Sequence, residues 1–459
     1  MLRAIPKSEP VWPALLIGTY AAGFAWLPTM AARLAWALPP VLVKLGWWLL
    51  ESADRWVTVF LFAVLTLPPL PVRLGDSGPH IGVAVAAAGL LIGVARRNEW
   101  RGKIAPGEPL LLLYPLVLVL SLAPALVLHD TGLVAASLAR IGLFSISIYV
   151  YAYTAHGPRG AGEPAIRTIF LAGILSAVLA CADFFFQLPP PAGFSPQYVW
   201  LPSGVYRRAQ GVFYEASTLG NLCVFFLVFI ALSLVRPRGE SRISRPVLAA
   251  SAAVLLSALA LSFSRASLVN LAAALVAVMC CHRKRVRPLR LAVFALSGLA
   301  IAGALTYALV PQVIEFYVAR LAGSVGLLAG ADEAVLSGRF STWSLLGRYL
   351  AEQPLQAAIG LGYKTLAYSQ TFGGGIIADN AYLSALLETG ILGLAAMLLF
   401  NMGILRIAFG TSSFYGQWIG CFWIGQLFQM LSGDLLTYWR VLPVYFWVLA
   451  LAARQREAR

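Results

Sequence analysis

Residues 215–235 read EASTLGNLCVFFLVFIALSLV, so the twenty residues that follow Glu215 contain no charged side chain. About 20 apolar residues are enough for a helix to cross the hydrocarbon core of a bilayer. This stretch therefore predicts a transmembrane helix. Similar stretches recur along the chain, and in lipid every backbone polar group must be hydrogen-bonded internally, so these runs predict helices.

The overall composition agrees with this interpretation. The chain has 459 residues, of which 60% are hydrophobic and 12% charged, whereas about a quarter of the residues of a soluble domain are charged. A soluble globular protein is thereby excluded. The sequence predicts an all-α, polytopic integral membrane helix bundle of about 12–14 spans, with residues 1–459 forming a single membrane domain.

The predicted spans lie near residues 11–30, 34–50, 56–72, 80–95, 110–128, 131–153, 165–186, 215–235, 247–263, 266–281, 291–311, 385–405, 412–432 and 437–453. The second contains Lys44 and the Pro39-Pro40 pair, and an interfacial helix is the alternative for this stretch.

Basic loops indicate the orientation of the chain. Clusters of Lys and Arg occupy residues 96–103, 236–245 and 283–287, and further arginines follow residue 453. All of these fall on one side of the predicted spans, which is the cytoplasmic side by the positive-inside rule. The net charge of +15 is therefore explained by the basic loops that set the orientation of the chain in the membrane. No soluble basic module for nucleic acid is present.

The opposite, outward side contains two long loops, residues 187–214 and 312–379. The first is rich in Pro and aromatic residues. The second includes amphipathic stretches such as 342–350, which predict short helices at the outer membrane surface. Loops of this length are usually functional, so we expect the functional site on this outward side.

No metal or cofactor is expected. The five cysteines and four histidines are scattered and have no metal-ligand spacing. Nucleotide-binding and zinc-protease motifs are absent from the sequence. An enzyme of this kind would take its substrate from the membrane.

Several arginines break the positive-inside pattern. Arg207, Arg208, Arg265 and Arg339 lie on the outward side, and Arg140 lies within the sixth predicted span. A guanidinium group matches the geometry of phosphate oxygens, so these residues predict a site for a phosphate or pyrophosphate. The alternatives are an arginine reaching the membrane interface and, for Arg140 and Arg339, a structural pair with a buried acid.

Three acidic residues accompany these arginines. Asp379 precedes an apolar helix, where it could cap the first N–H groups or act as a general base on a hydroxyl. Glu215 could orient an arginine or contact a sugar hydroxyl. Glu388 lies deeper in the same helix and needs a partner, for which Arg140 is the first candidate.

Four local patterns together resemble the O-antigen ligase and O-antigen polymerase superfamily (WaaL-like and Wzy-like proteins). The patterns are Arg208 to Ser217 (RAQGVFYEAS), Ser264-Arg265-Ala266, Ser337-Gly338-Arg339 with Trp343, Pro354 and Gly360-Leu361-Gly362, and Asp379-Asn380-Ala381-Tyr382-Leu383 with Glu388-Thr389-Gly390. Each is weak alone, but their order and spacing are specific, and the resemblance covers residues 208–395.

The resemblance implies a GT-C-like, metal-independent, inverting glycosyltransferase whose donor is a glycan on undecaprenyl pyrophosphate. It also implies a multi-pass protein of the bacterial inner membrane with its active site facing the periplasm. It implies that Arg208, Arg265 and Arg339 hold the pyrophosphate and that Asp379 and Arg265 are catalytic. The other substrate-binding candidates are Arg140, Arg207, Glu215, Asn380 and Tyr382. A chain-length regulator is an expected partner besides membrane lipid.

One departure from the family pattern distinguishes the two branches. The ligase branch typically has His before the Asn of the last motif, whereas this chain has Asp379. This favours a polymerase of O-antigen or exopolysaccharide over a ligase that transfers glycan to lipid A–core. A lipid-linked glycan flippase or transporter is a further alternative, but inverted repeats typical of transporters are not evident. A structural subunit of an export assembly would leave the arginines unexplained.

Overall fold

The computed structural model describes residues 43–70, 79–100, 104–158, 165–191, 193–201, 204–236, 243–283, 339–368, 372 and 375–457. The predicted spans near 11–30 and 291–311 lie outside the described residues. Of the predicted span 34–50, only the end is described, where residues 43–51 are helical.

The described chain is almost entirely helical. Its α-helices are α1 (43–51), α2 (Arg55–Thr66), α3 (Ile81–Ala95), α4 (Glu108–Leu120), α5 (Leu122–Leu128), α6 (Thr131–His156), α7 (Ile166–Phe186), α8 (Ala216–Val235), α9 (Arg245–Leu261), α10 (Arg265–His282), α11 (Arg339–Glu352), α12 (Pro354–Ile359), α13 (Ala381–Phe409), α14 (Phe414–Gln429) and α15 (Leu442–Glu457).

Six helical stretches of the described chain are long and apolar enough to cross a membrane, namely α4 with α5, then α6, α7, α8, α10 and α13. The predicted polytopic all-α membrane fold is thereby confirmed. One predicted span, 110–128, is divided at Ser121 into α4 and α5. Pro115 lies inside α4, where it removes one backbone donor.

Helix α8 lies at the centre of the bundle. It packs against α7, α9, α10 and α14, and Phe225 stacks on Trp418 with ring centroids 4.4 Å apart. Buried amides join the helices inside this apolar core. The Asn221 side chain donates to Gln426 and Gln429 at 2.6 and 2.9 Å, and Asn270 donates to the same two oxygens. Such bonds hold helices together where no water competes.

The predicted loop 187–214 contains a β-hairpin of two antiparallel strands, β1 (Tyr198–Leu201) and β2 (Gly204–Arg207). A short 3₁₀ turn over Gly211–Phe213 follows. The hairpin is fixed to α7 because Asp183 pairs with Arg207 at 2.9 Å. The second Asp183 oxygen accepts the backbone N–H groups of Gln210 and Gly211.

Helix α13 is broken at Gly390, whose φ of 69° and ψ of −172° are not helical. The segment after α12 enters this break. Leu361 and Gly362 donate their backbone N–H groups to the carbonyls of Leu387 and Glu388 at 2.9 and 2.8 Å. A Cβ on Gly390 would lie 2.2 Å from the Ala358 oxygen, so only glycine fits there.

Candidate active site

A cavity of about 370 Å³ lies at the end of the bundle where α6 and α13 begin. We call this the site end. Charged and aromatic side chains from separate parts of the chain line it. They are Arg140 and Phe144 of α6, Tyr363, Lys364 and Tyr368 of the segment after α12, Asp379 and Glu388 at and within α13, and Asp434 and Trp439 between α14 and α15.

Residues 361–368, the site loop, are held in the cavity wall by backbone contacts. The His129 ring contacts the Leu361 carbonyl at 3.1 Å, and the Ser137 hydroxyl donates to the Tyr363 carbonyl. Arg140 donates from Nη1 to the Lys364 carbonyl at 3.2 Å and from Nη2 to the Tyr368 hydroxyl at 3.3 Å. The predicted substrate ligand Arg140 therefore lines the cavity and also supports the site loop.

Lys364 and Asp434 form an ion pair on the cavity wall. Burial disfavours the ammonium, but the carboxylates of Asp434 and Glu388 raise the pKa of Lys364 above its ordinary value, so the side chain stays charged. Neither residue was among the predicted site residues. Lys364 was visible in the sequence as an outward cation after Gly360-Leu361-Gly362, whereas Asp434 carried no signal beyond its position between two predicted spans.

Glu388 is buried and faces the same cavity. Its carboxylate accepts hydrogen bonds from the backbone N–H groups of Lys364 and Leu366, and Lys364 is also its main attractive charge. The partners of the Glu388 carboxylate therefore belong to the site loop, whereas the sequence suggested Arg140 as its partner. Buried carboxylates require such donors.

Asp379 lies at the mouth of the cavity and is paired with Arg339, whose Nε is 3.3 Å from Asp379 Oδ2. The N-cap of α13 is Asn380, whose side-chain oxygen accepts the N–H groups of Tyr382 and Leu383 at 3.0 and 3.1 Å. The helix-capping interpretation of Asp379 is therefore corrected, because its neighbour performs that role. Asp379 also has a left-handed φ of 47°, which is uncommon outside glycine.

Arg208 and Arg265 lie at the turn between α9 and α10. Arg208 donates from Nε to the Ser262 carbonyl at 2.8 Å, and Arg265 is the first residue of α10. Both side chains are half-buried. The Ser264 and Ser267 hydroxyls are 2.8 Å apart, and the Gln429 side-chain amide donates to the Ser267 hydroxyl at 3.1 Å. The turn is therefore anchored to the buried amide network.

Glu215 lies between the residues of the first cavity and the pair formed by Arg208 and Arg265. It accepts a hydrogen bond from Thr218 at 2.8 Å and another from Tyr438, and it interacts electrostatically with Arg208 and Lys364. It also lines a second cavity of about 120 Å³. Thr437 and Trp439 line both cavities, so this segment is the wall that separates them.

Arg440 is buried beside the second cavity. It was not among the predicted site residues. It donates to the backbone carbonyls of Val64, Leu67 and Val212, and its guanidinium lies 4.8 Å from the ring centroid of Phe213. All of these partners are structural, so Arg440 ties the end of α2 to the segment that precedes α8.

Two of the predicted substrate ligands occupy structural positions. Arg207 is buried in its pair with Asp183, with side-chain exposures of only 5% on both sides, and so lies inside the protein wall. The Tyr382 hydroxyl donates to the Leu427 carbonyl at 3.0 Å, which fixes the start of α13 against α14. The described part of the chain brings no three His, Cys, Asp or Glu side chains together as metal ligands.

Comparison with known families finds a match over part of the chain. Residues 250–398, about a third of its length, match the family model described as O-Antigen ligase. The match includes Arg265, Arg339 and Asp379, while Arg140 and Arg208 precede it. A comparison with curated proteins finds no match. The predicted resemblance to the O-antigen ligase and polymerase superfamily is confirmed over the matched residues. Members are glycosyltransferase-like enzymes, and the family implies lipid-linked glycan and lipid substrates.

Proposed function

We propose that this member of the O-antigen ligase and polymerase superfamily is a Wzy-like polymerase of O-antigen or exopolysaccharide. It transfers a glycan from undecaprenyl pyrophosphate at the periplasmic face of the bacterial inner membrane. The observation that carries the proposal is the state of Asp379. Its carboxylate is not used to cap α13, lines the 370 Å³ cavity and is paired with Arg339.

The proposed reaction is a single displacement at the anomeric carbon. An acceptor hydroxyl gives its proton to the Asp379 carboxylate, and its oxygen bonds to the anomeric carbon of the donor sugar. The bond from this carbon to the pyrophosphate oxygen breaks, and the lipid pyrophosphate leaves with the electron pair. The configuration inverts. General base catalysis by a positioned carboxylate contributes about 10²- to 10⁴-fold, and the proposal requires no metal.

The cations supply the second element of the mechanism. Negative charge grows on the pyrophosphate as it leaves, and preorganised donors placed there stabilise the transition state. Arg265 is the first residue of α10, and Arg208, from the segment before α8, donates to the Ser262 carbonyl in the turn that precedes α10. This closeness supports a shared pyrophosphate site. We also assign Arg339 to the negative charge of the leaving pyrophosphate. Its contact with Asp379 connects the arginines to the proposed base.

The polymerase is preferred over the ligase because of the residue before Asn380. Ligases typically have a histidine there, whereas this chain has an aspartate at position 379. A ligase that transfers glycan to lipid A–core is therefore the alternative and not the first choice. The proposal includes a single membrane domain over 1–459, with the segments 187–214 and 312–379 in the periplasm. A chain-length regulator is a proposed partner.

The first test is an Arg265→Ala substitution in the bacterium, with surface polysaccharide analysed by gel. Arg348, an exposed arginine of α11, provides the matched control variant Arg348→Ala. Loss of long polymer, with single repeats remaining on lipid A or on the lipid carrier, would support the polymerase. Polymer that accumulates on the carrier and never reaches lipid A would indicate the ligase.

Both variants must reach the membrane in normal amount for this comparison. An Arg265→Ala protein that is present at the wild-type level and leaves the glycan unchanged would remove Arg265 from the mechanism. That result would favour a flippase or another transport function.

A further inference from the structure

The lining of the 370 Å³ cavity has the wrong charge for a pyrophosphate. Arg140 and Lys364 are its only cations among the described lining residues, and Asp379, Glu388 and Asp434 are three carboxylates. Arg339 is paired with Asp379 at the mouth, so the cations only balance the carboxylates and a dianionic group placed there would meet no surplus positive charge. The pyrophosphate therefore belongs on the Arg208 and Arg265 side.

The same lining suits a saccharide. Tyr363, Tyr368 and Trp439 offer aromatic rings, and the charged groups offer both donors and acceptors for hydroxyl groups. Ligand sites generally combine an apolar and aromatic wall with a few placed polar groups. The volume of about 370 Å³ is within the usual range for small-molecule pockets. The hydroxyl groups of a sugar fit these conditions better than a phosphate does.

We infer that Lys364 and Asp434 form the hydroxyl-binding floor of an acceptor-saccharide subsite, which orients the accepting sugar toward Asp379. This inference rests on the proposed glycosyl transfer. It adds two residues that determine acceptor binding and separates the acceptor side of the site from the donor side.

The ion pair has unused hydrogen-bonding capacity. An ammonium has three donors and a carboxylate has two acceptor oxygens. Lys364 contacts Asp434 at Oδ2, and within the described part of the chain the other oxygen, Oδ1, accepts no hydrogen bond. Both side chains are one-fifth exposed, so they are held in place yet reachable from the cavity. A sugar hydroxyl can bridge them by donating to the carboxylate and accepting from the ammonium.

The backbone at Lys364 supports a functional position. Lys364 has a left-handed φ of 59°, and Asp379, which lines the same cavity, has 47°. Non-glycine residues in this region are strained and persist where the surroundings fix them, often at ligand sites. At Lys364, the surroundings are the bonds of Arg140 to its carbonyl and of Glu388 to its N–H.

The test uses the full chain in lipid nanodiscs. The donor is the undecaprenyl-pyrophosphate-linked repeating unit extracted from the host. The acceptor is a fluorescent oligosaccharide of the same repeat, capped at its reducing end. Asp434→Asn is expected to raise the acceptor KM about 10- to 100-fold, the usual effect of losing hydrogen bonds to a charged group. The donor KM is expected to stay within about twofold of wild type.

A double variant, Lys364→Met with Asp434→Leu, distinguishes binding from structure. It removes both charges of the pair, while Glu388 keeps the backbone N–H donors of residues 364 and 366, so the double variant is expected to fold. If the pair only stabilises the wall, the double variant regains the wild-type acceptor KM. If the pair binds the saccharide, the acceptor KM stays high. A return to wild-type values would overturn the inference.

Direct binding separates this inference from the proposed function. Saturation-transfer NMR with the free oligosaccharide requires no turnover and is expected to give a signal for wild type that is lost in the double variant. The wild-type protein could give a saturation-transfer signal that the double variant lacks and yet catalyse no glycosyl transfer. That result would refute the proposed glycosyltransferase activity and leave the saccharide site standing. Equal signals from both proteins would refute the site itself.

Discussion

Arg339 Nε lies 3.3 Å from Asp379 Oδ2, at the mouth of a cavity, and both side chains remain partly exposed, at 29% and 49%. The pair joins α11 to the residue just before the N-cap of α13. The Trp343 indole donates to the Ala378 carbonyl at 2.6 Å and reinforces this junction. A carboxylate so placed is held by one cation yet reachable by a hydroxyl group.

Replacing Asp379 by Asn is expected to lower glycosyl transfer by about 10²- to 10⁴-fold, because the amide cannot accept a proton. The melting temperature is expected to change little, since Asn380 and not Asp379 caps the helix. Transfer of labelled repeats by purified protein measures this. A variant that keeps more than half of the wild-type rate would remove Asp379 as the base.

Replacing Asn380 by Ala is expected to have the opposite profile. The N–H groups of Tyr382 and Leu383 lose their acceptor, and loss of a cap destabilises a protein by about 1 kcal/mol. Asn380→Ser, which can still cap, is the control and is expected to restore the melting temperature. If both variants melt like wild type, the side chain does not cap α13 in solution.

Replacing Gly390 by Ala is expected to abolish folding into the membrane. The left-handed φ penalises any Cβ by about 1–2 kcal/mol, and the added atom would also collide with the Ala358 oxygen at 2.2 Å. Gly347 of α11 is the matched control, because a Cβ there meets no atom within 4 Å. Membrane levels and detergent melting curves compare the two variants. Equal, normal levels would contradict the broken-helix arrangement.

Arg207 and Arg208 are adjacent in sequence but are expected to respond differently to alanine substitution. Arg207→Ala leaves Asp183 buried without its partner, which destabilises proteins by about 3–5 kcal/mol. Arg208→Ala removes a half-buried guanidinium at the turn and is expected to spare folding and reduce transfer. Melting temperature and transfer rate are measured together for both. Loss of transfer by Arg207→Ala without loss of stability would assign it to the site.

The helices could be predicted from the sequence because lipid imposes a simple rule. A run of about 20 apolar residues must be helical there. The predicted first residues of α7 and α8 differ from the observed ones by one position, and the predicted last residues coincide with them. The β-hairpin was not predicted. Tyr198 and Trp200 belong to a Pro-rich segment, and its position depends on Asp183 of the preceding helix α7, which holds Arg207 from 24 residues away in sequence.

The site was predicted only in part, and the reason is distance along the chain. Arg140 and Asp379 could be selected because each is a charge in an unusual place. Asp434 is one of many loop acids until the site loop brings Lys364 beside it, 70 residues away in sequence. Local patterns also could not decide which of Asp379 and Asn380 caps α13, because either side chain suits an N-cap.

The interlocking of the site loop with the broken helix α13 has a mechanical consequence. Leu361 and Gly362 bond to the helix carbonyls, and Arg140 bonds to the Lys364 carbonyl, so this wall cannot move without disrupting α13. Arg339 and Asp379 contact each other only through exposed side chains. The proposed polymeric substrate would therefore meet one rigid wall, and room for it must come from the α11 side, where the Arg339–Asp379 ion pair and the Trp343–Ala378 hydrogen bond form the junction.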